Sequence, residues 1–99
     1  MGDPPRGAIF CEVMPKITVY TTDPCSFCVR AKQLLQHRNL VYEEINLAKD
    51  PAGRAQLLEK TGMMSFPQII VDGTVVGGFM ELVEADRRGT LRELAARAA

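Results

Sequence analysis

Apolar and polar positions change their period several times along the chain, and each change marks an element. Ile17-Thr18-Val19-Tyr20 is β-branched and aromatic, as a strand should be, and runs into the turn cluster Thr21-Thr22-Asp23-Pro24. Over residues 25–37 the period lengthens to that of a helix: Phe27, Ala31, Leu34 and Leu35 recur on one side, with Arg30, Lys32, Gln36 and Arg38 on the others. Residues 41–47 alternate again, Val41, Glu43, Ile45 and Leu47 against Tyr42, Glu44 and Asn46. Both sets cannot be buried, which predicts a strand near a sheet edge. Asp50 followed by Pro51 reads as an N-cap with proline at the first helical position; Leu57, Leu58 and Thr61 give this second helix an apolar side, and Gly62 ends it. Residues 68–71 and 74–76 are short strands separated by Asp72-Gly73, a strong hairpin signal. A third helix follows Gly77-Gly78 and runs to about Arg87. Thr90-Leu91-Arg92-Glu93 then has the form of a capping box, opening a last helix on Leu91, Leu94, Ala95 and Ala98. The predicted order is β-α-β-α-β-β-α-α, an α/β fold in which a right-handed βαβ unit is followed by antiparallel strands.

Composition narrows the function classes. The 99 residues, 46% of them hydrophobic, suffice for one compact core. Residues 1–15 hold three of the six prolines, two glycines and no periodicity, so they are expected to form a flexible extension to a single domain over residues 16–99. Met14, just ahead of the first strand, could serve as an alternative start, which would make Cys11 dispensable. Twelve basic and twelve acidic side chains cancel with no long run of either sign, which supports neither a nucleic-acid footprint nor a polybasic membrane patch. The apolar stretches fall well short of the roughly 18 to 20 residues of a membrane helix, and the N-terminus lacks a signal-peptide core. The expected address is the cytoplasm.

Three cysteines are an odd number, a poor fit to a secreted disulfide framework, and two of them are spaced Cys-x-x-Cys after the first strand. A cysteine at the first turn of a helix faces unpaired backbone N–H groups and the positive end of the helix dipole, both of which favour thiolate over thiol. Cys25 occupies that place and is expected to be the nucleophile. Cys28 lies one turn further in, deeper and on the same face, where it can displace a substrate from a mixed disulfide on Cys25 and close an intramolecular bridge. Reversible thiol-disulfide exchange follows from this pair. A zinc site is disfavoured, because beyond the pair only His37, at the far end of the helix, and Cys11 remain as cysteine or histidine ligands. His37 is expected to be an ordinary surface residue.

The string from Val19 to Cys28, followed by Ser65-Phe66-Pro67 and by Gly77-Gly78-Phe79, resembles the glutaredoxin family over roughly residues 16–97. The resemblance implies a thioredoxin-like fold, a four-stranded mixed β-sheet flanked by helices, and an enzyme that reduces protein disulfides or glutathione-type mixed disulfides. It also implies a cis bond before Pro67. Glutathione, or another low-molecular-weight thiol, would lie along Ser65 and Phe66, with its γ-glutamyl end at Phe79, Met80 and Glu81 and with Gly77 and Gly78 admitting close approach. Thr22, Ser26, Phe27, Pro67 and Gly78 belong to the same implied surface. Arg54 falls where the family often places a partner for the glycine carboxylate, with a solvated helix face as the equal alternative. Thr22 stands where the family usually has Lys, Met80 where Ser or Asp is common, and Ser26 where Pro is usual. Family members with Ser at that position can bridge a [2Fe-2S] cluster between two subunits through the first cysteine, so cluster carriage through Cys25 is a second expectation. A third is a thioredoxin-like electron donor to one dedicated protein such as a reductase, itself reduced directly by a flavoprotein reductase. Disulfide-bearing proteins are the expected macromolecular partners, and a monomer is the expected state.

Overall fold

The structure, a computed structural model, describes residues 15–98, without the side chain of Ala98. The predicted extension, apart from Pro15, lies outside the described residues, and so do Cys11 and Met14. Eight elements follow in the predicted order: β1 (Ile17–Thr21), α1 (Ser26–His37), β2 (Glu43–Asn46), α2 (Pro51–Thr61), β3 (Gln68–Val71), β4 (Thr74–Gly77), α3 (Phe79–Arg87) and α4 (Thr90–Ala98). The strands form one sheet in the order β2-β1-β3-β4, parallel between β1 and β2 and antiparallel elsewhere.

Alternation along β1 sends Ile17, Val19 and Thr21 to one face, where all three are buried. Ile17 and Val19 join Ala31 and Leu35 of α1, Ile69 of β3, Leu82 of α3, and Leu91 and Leu94 of α4 in the main core, which places these three helices on a single face. On the other face Tyr20 and Ile45 share a cleft with Leu47 and Leu57, the one fully buried residue of α2. The mixed sheet with helices on both sides is the thioredoxin-like architecture.

Local signals decided most boundaries. The Asp50 carboxylate accepts the Gly53 N–H (2.9 Å) with Pro51 at the start of α2, and Gly62, at φ 74°, closes it in the left-handed conformation. Asp72 and Gly73, with φ of 52° and 84°, make the β3–β4 turn.

Four expectations need correction. β2 is shorter than residues 41–47: it spans Glu43–Asn46, Val41 is 80% exposed ahead of it, and the Leu47 N–H on the Thr21 carbonyl (2.9 Å) is the last bond of its parallel ladder with β1. As expected, this strand is at a sheet edge. Phe27 is half exposed instead of joining Ala31 and Leu35 inside, and Leu58 is 38% exposed because α2 presents only Leu57 to the sheet. The Thr90 capping box does not form, since α4 begins one residue earlier than that motif requires. Gly89 accepts the Glu93 N–H (3.1 Å), which puts Thr90 inside the helix. A similar device appears instead at α3, where the Glu81 carboxylate reaches back to the Gly78 N–H (2.8 Å).

Candidate active site

β1 delivers the chain to a tight turn, Thr22-Asp23-Pro24, and Cys25 is the residue that caps α1. Its backbone is extended (φ −155°, ψ 97°), and its sulfur accepts the Cys28 N–H at 3.1 Å, taking the part usually played by a Ser, Thr or Asp oxygen. The same hydrogen bond, at the positive end of the helix, stabilises a thiolate when the pair is reduced. Cys25 is partly exposed and Cys28 is 3% exposed, the asymmetry expected of an attacking and a resolving sulfur. The two are joined as a disulfide, with Cα atoms 5.2 Å apart.

The turn ahead of Cys25 is held by the edge strand. Asn46 donates from Nδ2 to Asp23 (2.9 Å) and accepts the Ala48 N–H at Oδ1 (2.9 Å), joining the β1–α1 and β2–α2 turns. The Asp23–Pro24 bond is cis, a feature the sequence reading did not anticipate. At the last residue of β1, the buried Thr21 hydroxyl donates to Glu44 (2.8 Å), and Lys32 of α1 reaches both Glu44 oxygens (3.1 Å each).

The Thr21 hydrogen bond, seconded by Lys32, holds the Glu44 carboxyl below its ordinary range against the opposing effect of burial. Because the folded state depresses this pKa, the unfolded chain binds more protons in the acid window. The stabilisation is therefore complete above the ordinary carboxylate pKa and is lost as pH falls through the folded value. Urea unfolding at neutral pH and near pH 3 is expected to show a smaller acid loss in Glu44→Gln than in the unsubstituted protein. An equal loss in both would remove Glu44 from the account.

Opposite Cys25 stands the Ser65-Phe66-Pro67 segment, with the Phe66–Pro67 bond cis as the resemblance implied. The Phe66 carbonyl oxygen is 3.9 Å from the Cys25 sulfur. Beside it, Phe27, Ser65, Phe66, Pro67, Gly78, Phe79, Met80 and Glu81 line one open cleft of about 190 Å3. Its floor includes a stacked pair, Phe27 and Phe79, with ring centroids 5.6 Å apart, and the Arg30 guanidinium lies 5.7 Å from the Phe27 ring. Phe27, misplaced by periodicity, is thus exposed because it belongs to this surface.

The other expected residues fall elsewhere. Thr22 and Ser26 flank the cysteine turn without lining the cleft. Arg54 lies across Phe66, in an adjoining cavity of about 270 Å3 shared with Leu58, Met63 and Met64. Its Nη1 donates to the Leu47 and Ala48 carbonyls (2.6 and 3.0 Å), which corrects the alternative of a merely solvated helix face. Gly77 also has a local reason to be glycine: it adopts φ 128°, and a Cβ there would come within 2.7 Å of Glu81 Cγ. His37 is exposed at the end of α1, as expected.

Sequence reasoning missed two residues that shape the site, Asn46 and Gln68. Gln68 had a visible signal, a lone amide between Pro67 and the apolar Ile69-Ile70-Val71 in a strand that must cross the core. Asn46 had none, because its partner is distant in sequence.

Comparison with known proteins agrees with this geometry. Residues 17–76 match the family model for glutaredoxin. The chain is 42% identical over 81 residues to the glutaredoxin of Pseudomonas aeruginosa, covering 82% of this chain and 96% of that protein. It is 32% identical over 81 residues to glutaredoxin 3 of Escherichia coli, covering 82% and 98%. Among solved structures, buckwheat glutaredoxin in its glutathione complex superposes with a TM-score of 0.75 at 25% identity, covering 93% of this chain and 87% of that one. The solution structure of glutaredoxin from Brucella melitensis gives 0.74 at 32% identity, covering 88% and 95%.

Proposed function

Because the chain belongs to the glutaredoxin family, and is accordingly a thiol-disulfide oxidoreductase with a Cys25–Cys28 dithiol, we propose that its substrates are mixed disulfides between proteins and glutathione. The observation that carries this reading is the cleft beside the Cys25 sulfur, bounded by Ser65, Phe66 and the N-terminus of α3. An extended tripeptide fits such a place by pairing with the Phe66 backbone in the manner of an added strand, its γ-glutamyl carboxylate toward the N-terminus of α3. The glutathione complex of the buckwheat protein supports the choice of thiol.

The chemistry then proceeds by exchange alone. The Cys25 thiolate attacks the glutathione sulfur of the mixed disulfide, the protein thiolate leaves, and glutathione remains bonded to Cys25. A second glutathione thiolate attacks that bond, releasing oxidised glutathione and restoring Cys25. Alternatively, Cys28 displaces the glutathione thiolate and closes the Cys25–Cys28 disulfide, which two further glutathiones reduce. Each step forms one S–S bond and breaks one, and a thiolate is both nucleophile and leaving group throughout. The role we give Arg54 is to close the far side of the groove behind Phe66. Nothing specific in the site favours cluster carriage over exchange. A reducing compartment, the cytoplasm, would keep glutathione available. No helix among the described residues is long and apolar enough to cross a membrane.

Steady-state reduction of a glutathionylated peptide, with glutathione, its reductase and NADPH supplied, tests the proposal. Saturable turnover is the expected result. A protein that reduces other disulfides yet leaves this substrate untouched would retain the dithiol and lose glutathione, moving recycling to another thiol or to a flavoprotein reductase.

A further inference from the structure

Gln68 is 0% exposed, and its amide is fully engaged. Nε2 donates to the carbonyls of Met63 and Ser65 (3.0 Å each), and Oε1 accepts the Thr61 hydroxyl (2.9 Å). The Thr61 oxygen in turn accepts the Met63 N–H (3.1 Å), and its one proton is shared between Gln68 Oε1 and the Leu57 carbonyl (3.0 Å). One side chain therefore ties the end of α2 to both ends of the segment 63–65, immediately before Phe66 comes within 3.9 Å of the Cys25 sulfur. A loop carbonyl drawn inward needs a donor, and burial makes an amide that satisfies two of them costly to remove. A strand residue at this depth would otherwise be apolar, like its neighbours Ile69 and Ile70.

We infer that Gln68 is a positioning residue for substrate. It holds the Met63–Phe66 backbone in the path that a thiol tripeptide pairs with at Phe66, and it takes no part in the chemistry at sulfur. The inference rests on the glutathione reading for its substrate, but not for its structural half. Gln68→Met keeps the volume and removes all three hydrogen bonds. Loss of the two bonds to the loop corresponds to a rise of about tenfold in the apparent KM for a glutathionylated peptide, with kcat little changed. The rate at which iodoacetamide alkylates Cys25 should stay constant. Thr61→Val, on the partly exposed end of α2, should shift KM in the same direction by less and serves if Gln68→Met does not fold.

Amide hydrogen exchange provides the readout that does not depend on the thiol. Residues 62–66 should exchange faster in both variants while the β1 and β3 amides keep their protection. Unchanged exchange at 62–66, or faster exchange throughout the molecule, would overturn the inference. So would a fall in kcat and in Cys25 alkylation with KM constant. If the unsubstituted protein itself fails to turn over the glutathionylated peptide, the glutathione reading falls and the exchange comparison alone decides the inference.

Discussion

Cys25→Ser is expected to reduce turnover of any disulfide substrate by more than about 1,000-fold, because a serine hydroxyl remains protonated at neutral pH where a helix-capping thiol is readily ionised. The substitution leaves the cap itself nearly intact, since serine is among the preferred N-cap residues and its oxygen can take the Cys28 N–H in place of sulfur. Compared with the reduced protein, in which no disulfide is lost, the change should therefore appear in the rate and not in the melting temperature. Cys28→Ser is expected to behave differently. It removes the buried resolving sulfur, so release of a protein held as a mixed disulfide and reduction of protein disulfides should fail. Attack of glutathione on glutathionylated Cys25 needs no second cysteine and should continue. The pair of variants, assayed on a glutathionylated peptide and on a protein disulfide, separates the two roles; equal losses on both substrates would contradict the assignment.

The largest effect on stability is expected at the face of α1 that supports the cysteines. Leu35 is 1% exposed and packs in the main core with Val19, Ile69 and Leu82. Leu35→Ala should cost roughly 2–5 kcal/mol, the transfer free energy of the lost atoms plus the cavity they leave. For a domain of this size that lowers the melting temperature by at least roughly 8 °C. Val41→Ala, at a position 80% exposed, should change stability by less than about 0.5 kcal/mol. Calorimetry or thermal circular dichroism on the two variants checks the contrast. Similar small changes in both would mean that the core around α1 relaxes around the missing side chain.

Where the signal was local, the sequence reading agrees with the structure at most positions. Asp50-Pro51 capped α2, Gly62 ended it, and Asp72-Gly73 turned β3 into β4, because each depends on backbone conformations and hydrogen bonds within a few residues. The cysteine pair was legible for the same reason, since strand, turn and helix are contiguous there. Thr90 shows the limit of a local motif: the capping box had the right letters, but Gly89 capped the helix.

Burial was harder to read. Phe27 and Leu58 have the hydrophobicity and spacing of core positions, yet each helix can face the sheet with only part of its surface, and the packing chose Ala31, Leu35 and Leu57. These two line the surface on either side of Phe66, Phe27 on Phe79 in the cleft and Leu58 with Met64 in the adjoining cavity.

The sequence by itself determined the order of the elements, the place of Cys25 at a helix start and the thiol-disulfide exchange it can carry, because these follow from nearest-neighbour geometry and helix electrostatics. The tertiary structure decided what surrounds the sulfur. Asn46 holds Asp23 from 23 residues away, and Phe66 approaches Cys25 across a separation of 41. Such contacts depend on which strands become neighbours and in what register. That is settled by the shared burial of Ile17, Val19 and Ile69 under three helices, a property of the assembled core that no segment carries alone.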